Sequence, residues 1–342
     1  MKILYIGSKS GTSKHRADAL KRLDNEITHL DPHSLLSVNP WINRWNYNTG
    51  ALLTNKLVEN KIFNHRLVEN SKFDFVLINN PKLINQRLIE FFKSNFGKVA
   101  CYINDDPFRK NLHRKIIWRQ FLKSIPYYDL IAVVREVNVK EAYELGAKDV
   151  LRLYMSADEI VHQQRTLNEK EKEQWDSDVI FIGTGMEERG PFLAKLIELG
   201  VPLKIYGNQW KKQKKWNAIK NHLHSHAIYD EDYAKAIQCS KICIGMLSKG
   251  NRDLHTRRSV EIPSLGTVLC AERTPEHMQM YEENKEAVYW STPEECAAIC
   301  LELLKNREKR ETIARNGRER SIQNGYFNEK VMGHIIRRAL QK

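Results

Sequence analysis

The sequence predicts an α/β protein built as two tandem, Rossmann-like doubly wound domains facing a cleft. Three observations predict it. Six short apolar, β-branched runs recur in the first half of the chain and six more in the second. Helical patterns, with apolar residues every three or four positions, fill most of the gaps between them. A polar, highly charged stretch at 159–177, EIVHQQRTLNEKEKEQWDS, separates the two rows. The length agrees, since 342 residues exceed what one hydrophobic core usually serves.

The first row reads KILYIG (2–7), EITHLD (26–31), FDFVLINN (73–80), VACYIND (99–105), LIAVVR (130–135) and VLRLY (150–154). Between these strands the longest helical pattern is 51–70, and 83–94 is another. Strands that alternate with helices imply a parallel sheet covered on both faces. The charged stretch reads as a linker with some helix. The second row is DVIFIGT (178–184), LKIYGN (203–208), AIYD (227–230), KICIGM (241–246), TVLCAE (267–272) and AVYWST (287–292). Residues 301–340 read as helix with a break near Asn324-Gly325. The expected division is a first domain over 1–158, the linker 159–177, a second domain over 178–325 and a closing helix in 326–342.

Hydrophobic residues make up 42% and charged residues 28%, which excludes wholesale disorder. No apolar run approaches the roughly 20 residues that span a bilayer. The apolar start before Gly7 is too short for a signal-peptide core, so a cytoplasmic location is expected. The six cysteines (101, 239, 243, 270, 296 and 300) form no CxxC pair. They read as reduced core residues, and no metal site is expected. The net charge of +13 and pI near 9.3 favour anionic partners: nucleotide phosphates, lipid head groups or nucleic acid. KKQKKW at 211–216 is the densest basic stretch, a solvated face or a contact with an anionic membrane surface.

Several motifs fall at strand ends, where open parallel sheets bind ligands. GSKSGTSK (7–14) lacks the spacing and the GK[ST] of a P-loop but can form a glycine-rich turn. GTGMEERG (183–190) has Glu188 where a dinucleotide fingerprint needs glycine, and Arg189 opens the helix that follows. A guanidinium there can add to the helix N-terminal field and grip a diphosphate. In INDDPF (103–108), Asp106-Pro107 reads as a helix start. Asp105 is left to act as a base or to bind sugar hydroxyls. The alternate histidines of HLHSH (222–226) read as a loop leading into AIYD. In DLHTRRSVEIPSLG (253–266) a single glutamate follows two arginines and a histidine, the setting of an anion site.

DLHTRRSVEIPSLGTVLCAERTPEHMQMYEENKEAVYWSTPEEC (253–296) resembles the spore-maturation (CgeB-like) branch of the GT-B glycosyltransferases, near the group 1 retaining nucleotide-sugar transferases. DVIFIGTGMEERGPFLAKL (178–196), INDDPF and RETIARNGRERSIQNGYFNEKV (310–331) agree with it, as does the opening GSKSGTSKHRADAL. The resemblance implies a donor domain second in the chain, a UDP- or GDP-linked sugar as substrate, and no cofactor. Glu261 matches the glutamate that accepts hydrogen bonds from ribose hydroxyls. Asp253 stands where the family carries a glutamate eight residues earlier. Arg258, with His255 and Thr256, would neutralise the diphosphate. Gly183, Gly185 and Arg189 match the family's glycine loop, and Tyr206 and Asn208 end the neighbouring strand on the donor side. Asp105 and Asp106 lie where relatives place a histidine or acid facing the sugar, and the last helix would cross back to brace the first domain.

The expected activity is metal-independent transfer of a sugar from a nucleotide to a glycan, lipid-linked saccharide or protein, with retention of configuration. Fixed cations aimed at the leaving diphosphate would stabilise the charge that develops on it. A nucleotide-sugar epimerase on the same fold is the enzymatic alternative. The charge of +13 also admits a nucleic-acid-binding or -modifying protein, but the two rows of strands and the lack of a base-reading module argue against it.

Overall fold

The computed structural model describes residues 1–36, 39–69, 71–186 and 188–341. Asn70, Glu187 and Lys342, which belong to the expected 51–70 helix, the glycine loop and the closing segment, lie outside the described residues. The chain forms two compact units, Met1–Tyr154 with Asn328–Lys342, and Met155–Phe327.

Unit 1 holds strands β1 (Lys2–Ile6), β2 (Glu26–Leu30), β3 (Phe75–Asn79), β4 (Lys98–Ile103), β5 (Leu130–Val133) and β6 (Val150–Arg152). They form one parallel sheet in the order β2-β1-β3-β4-β5-β6. Every residue of β3 is buried, as expected for the centre of a sheet covered on both faces. The expected helix at 51–70 is broken into Asn55–Phe63 and Arg66–Glu69, with Asn64 and His65 between them. A helix over Pro40–Thr49, capped by Asn39, precedes them.

Unit 2 holds β7 (Ser177–Ile182), β8 (Leu203–Tyr206), β9 (Leu223–Ser225), β10 (Ser240–Gly245), β11 (Val268–Glu272) and β12 (Val288–Trp290). Its parallel sheet has the order β12-β11-β10-β7-β8-β9. Eleven expected strands fall on observed ones, and one is displaced. AIYD is not a strand; the edge strand is Leu223–Ser225, inside the histidine stretch. That strand, LHS, has a single apolar residue and two exposed ones, so it shows no apolar run.

The expected linker 159–177 is instead part of unit 2. Its Trp175, Leu167 and His162 are buried. Its helix Glu169–Trp175 carries a capping box between Asn168 and Glu171, and Lys235 pairs with Glu171 at 2.7 Å. The charges therefore form the outer face of a docked element, which composition alone does not distinguish from a linker.

The closing helix, Asn328–Leu340, belongs to unit 1, and Gly325 (φ +63°) ends the helix before it. It buries Val331, Met332, Ile335 and Ile336. Arg22 bonds Glu329 at 2.5 Å, and Arg338 holds the buried Asp149 through two hydrogen bonds of 2.9 and 3.0 Å.

Candidate functional site

In each sheet the strand order reverses beside the first strand, and ligands of open α/β sheets bind beyond the carboxyl ends at that point. In unit 2 the reversal lies between β7 and β10. The loop after β7 carries the glycines, and the loop after β10 leads into the helix Arg258–Ser264, which carries Glu261.

Glu261 is 3% exposed. The Tyr233 hydroxyl donates to its Oε2 at 2.6 Å, while His162 Nε2 and Arg257 Nη1 lie 3.5 and 3.6 Å from Oε1. Burial alone would raise its pKa, but His162, Arg257, Arg258 and the Tyr233 hydroxyl overcome this and hold it at about 2. Glu261 is thus an ionised carboxylate inside the fold. Tyr233 and His162 were not among the expected site residues. Tyr233 sits in the helix Asp230–Gln238, which the strand reading of AIYD obscured, and His162 sits in the supposed linker.

Arg258 is half-buried. Its Nε donates to the Ile182 carbonyl at 2.8 Å, at the end of β7, and its guanidinium lies 6.0 Å from the Tyr233 ring centre. This fixes a cation at the reversal point, with the terminal nitrogens unclaimed by the bonds that orient it. Thr256 is also half-buried, and its backbone N–H donates to Ser259 Oγ at 3.0 Å.

His255 departs from its expected role. Its Nε2 accepts from the Met155 N–H at 2.8 Å, so the ring proton is on Nδ1, which faces Glu276. An imidazole that accepts a backbone N–H is neutral, and this one is buried, so it supplies no charge to a diphosphate. His277 is fixed similarly. Nδ1 donates to the Glu272 carbonyl at 2.6 Å, and Nε2 accepts from Ser259 Oγ at 2.7 Å. Burial chiefly lowers its pKa to about 4.

The glycine loop also differs from expectation. The N–H groups of Gly183 and Gly185 donate to Tyr206 O and Asn208 O at 2.9 and 2.8 Å, so neither is left for a phosphate. The carbonyl oxygens of the two glycines accept from Trp210 Nε1 and Gln213 Nε2. A Cβ on Gly185 would lie 2.9 Å from Trp210 Cα, so this glycine serves packing between two loops. Arg189 is buried and spans the two loops, donating to Thr184 O at 3.0 Å and Leu247 O at 3.2 Å. Its guanidinium is engaged by these two backbone carbonyls. Tyr206 is buried, with its ring stacked on His224 at 5.8 Å. Asn208 is exposed and its Oδ1 accepts from Ala227 N–H at 3.3 Å. Asp253 is buried in the loop before Arg258.

In unit 1 the two neighbouring aspartates part company. Asp106 is fully buried, and its Oδ1 accepts from Phe108 N–H and Asn138 Nδ2, at 3.2 and 3.1 Å. It is a structural residue and not a catalytic one. It also caps no helix: the helix Leu112–Ser124 starts later and is capped by Asn111. Asp105 is about a third exposed, pairs with Lys82 Nζ at 3.1 Å and accepts from Asn80 Nδ2 at 3.4 Å. Burial opposes ionisation, but Lys82, Arg114 and Arg135 hold its pKa below the usual carboxylate value.

All six cysteines are reduced. Cys270, Cys296 and Cys300 cluster in the core of unit 2, with Cys270 and Cys296 sulfurs 3.8 Å apart. Among the described residues no helix is long and apolar enough to cross a membrane.

Known proteins agree with this architecture. Residues 189–337 match the family described as glycosyl transferase-like. HepE of Anabaena, solved in complex with UDP and glucose, superposes with a TM-score of 0.68 at 12% identity, over 100% of this chain and 99% of that one. Sucrose-phosphate synthase of Thermosynechococcus elongatus gives 0.69 at 12% identity over 99% and 98%. The E. coli structure described as trehalose-6-phosphate bound with UDP-2-fluoro glucose gives 0.64 at 13% identity over 100% and 99%. No curated protein matches the sequence. The chain therefore has the two-domain GT-B fold, and its residues 189–337 are similar to the glycosyl transferase-like family. The matches do not reach the narrower CgeB-like branch.

Proposed function

We propose that the protein transfers a sugar from a UDP-linked donor to a hydroxyl group, with unit 2 holding the nucleotide. The observation that carries this reading is the placement of Arg258. It is pinned through Nε at the end of β7, beside the ionised Glu261, at the reversal point of the second sheet. The UDP and UDP-sugar complexes of the proteins that share the fold support the choice of donor. In the reaction the acceptor oxygen bonds to the anomeric carbon as the bond from that carbon to the diphosphate oxygen breaks. UDP departs with the electron pair, and the acceptor hydroxyl gives up its proton. Arg258 and the Thr256 hydroxyl would meet the charge gathering on the diphosphate. Glu261 would accept from the ribose while its other contacts hold it ionised.

Asp105 suits hydroxyl orientation better than proton removal, because a carboxyl held below its usual pKa is a weak base near neutrality. A fixed arginine also makes the reaction metal-independent in this reading. Asp106 is committed to Phe108 and Asn138, so the Asp105-Asp106 pair is poorly suited to a metal. Retention of configuration rests on the resemblance to the retaining transferases. The acceptor is a glycan, lipid-linked saccharide or protein. Exposed Lys211, Lys212, Lys214 and Lys215 would let the protein meet an anionic membrane surface.

Turnover of UDP-glucose in EDTA tests the reading. Release of UDP, reduced about 100-fold or more by Arg258→Ala, is expected. Conversion of the donor to an isomer without UDP release would identify an epimerase instead, and no turnover with no UDP binding would overturn the reading.

A further inference from the structure

The reversal point of the first sheet, between β1 and β3, opens into a cavity of about 710 Å³. The polar side chains on its wall include Ser8, Ser10, Thr12, Asn43, Arg44, Asn80, Lys82 and Asp105. Two kinds of unmet demand converge on it.

The first is charge. Arg16 is 1% exposed, and its Nη1 donates to Oδ1 of Asn79, a cavity-lining residue, at 3.0 Å. Its guanidinium rests on the Tyr102 ring at 4.3 Å, while Nε and Nη2 are buried with no hydrogen-bond partner among the described residues. Among the described residues no carboxylate forms an ion pair with it. A buried charge without a counter-ion is costly, and here it sits behind the cavity wall. Arg44 is an exposed lining residue, and among the described residues no acid pairs with it. The one acidic lining residue, Asp105, is held by Lys82. Burial chiefly lowers the pKa of His33, leaving that ring neutral near pH 7. The cavity therefore carries a net positive field.

The second demand is for hydrogen-bond donors. The Oδ1 atoms of Asn43 and Asn80 are buried with no partner among the described residues. Each is an acceptor that an anion alone cannot satisfy, whereas a hydroxyl can. Asp105 adds a third acceptor.

We infer that this cavity binds a phosphorylated sugar. Its phosphate matches Arg44, Lys82 and the Ser8, Ser10 and Thr12 hydroxyls, with the field of Arg16 behind them. Its ring hydroxyls match Asn43, Asn80 and Asp105. If the transfer proposed above is right, and the inference rests on that reading here, this ligand is the acceptor.

Isothermal titration of the full chain with glucose 6-phosphate, glucose and inorganic phosphate tests the site, with UDP titrated in parallel. Glucose 6-phosphate is expected to bind at least about tenfold more tightly than either part alone, because each part satisfies one demand only. Arg44→Ala, at an exposed position, is expected to weaken it about tenfold with the melting midpoint of the wild type, and Arg44→Lys to restore part of the loss. Equal affinity for glucose and glucose 6-phosphate would overturn the inference, as would an affinity no better than that for inorganic phosphate. An Arg44→Ala variant that binds normally would do the same. UDP binding without sugar-phosphate binding would sink this inference and leave the transferase reading standing. Sugar-phosphate binding without UDP binding would do the reverse.

Discussion

Replacing Glu261 by glutamine removes one buried charge and almost no volume. The folded carboxyl titrates at about 2 against an ordinary 4.5, a difference of roughly 3 kcal/mol. The folded state binds fewer protons than the unfolded state between these values, so this stability is fully present above pH 4.5. It is lost as pH falls toward 2. At pH 7 the variant is expected to be less stable by about 3 kcal/mol, and near pH 3 the gap should shrink to about 1.5 kcal/mol. The charges of Arg257 and Arg258 that Glu261 balances are left behind in the variant, which works in the same direction. Two units need not unfold together, so the assay is hydrogen exchange in urea, followed on peptides from β10 and β11. A variant within about 0.5 kcal/mol of the wild type at pH 7 would contradict a carboxylate held by its protein partners. It would mean that solvent, and not the protein, carries the Glu261 charge.

Three further outcomes are expected. Gly207 has φ +143°, and a Cβ there would lie 2.0 Å from the Gly183 carbonyl oxygen; Gly207→Ala should cost about 3 kcal/mol or more, and wild-type melting would contradict this packing. His277 is held neutral with a pKa near 4, so the unfolded state gains its proton first and stability falls as pH drops from 6.5 toward 4, by up to roughly 3 kcal/mol. His277→Gln should flatten the pH dependence of urea midpoints in that window, and an unchanged slope would remove His277 as the cause. Of the six thiols only Cys239 is half-buried, so one should react with a thiol reagent in the native protein and all six after denaturation. Several fast native thiols would show that the cysteine cluster is open.

The alternation of strands and helices was legible because parallel strands buried on both faces read as continuous apolar runs, as β3 does. The edge strand β9 and the docked 159–177 segment were not, since their roles depend on distant partners such as Gln238, which takes the Arg165 N–H, and Lys235. At the site, the sequence pointed to Arg258 and Glu261 through the crowding of charge before a strand. It could not show that the backbone claims the neighbouring cations and glycines. Arg189, His255, Gly183 and Gly185 have residue types suited to a phosphate, and each is spent on protein groups instead. Asp105 and Asp106 adjoin in sequence, yet one lines a cavity and the other is sealed in the core. Tyr233 and His162 complete the Glu261 site from 28 and 99 residues away, a separation no local pattern records.

The most direct test of the central claim is calorimetric titration of the wild type and Arg258→Ala with UDP in EDTA. UDP is expected to bind the wild type in the micromolar range and the variant at least about tenfold more weakly, with no metal added. Undetectable binding of UDP and of GDP to the wild type, or equal UDP binding by both proteins, would contradict it.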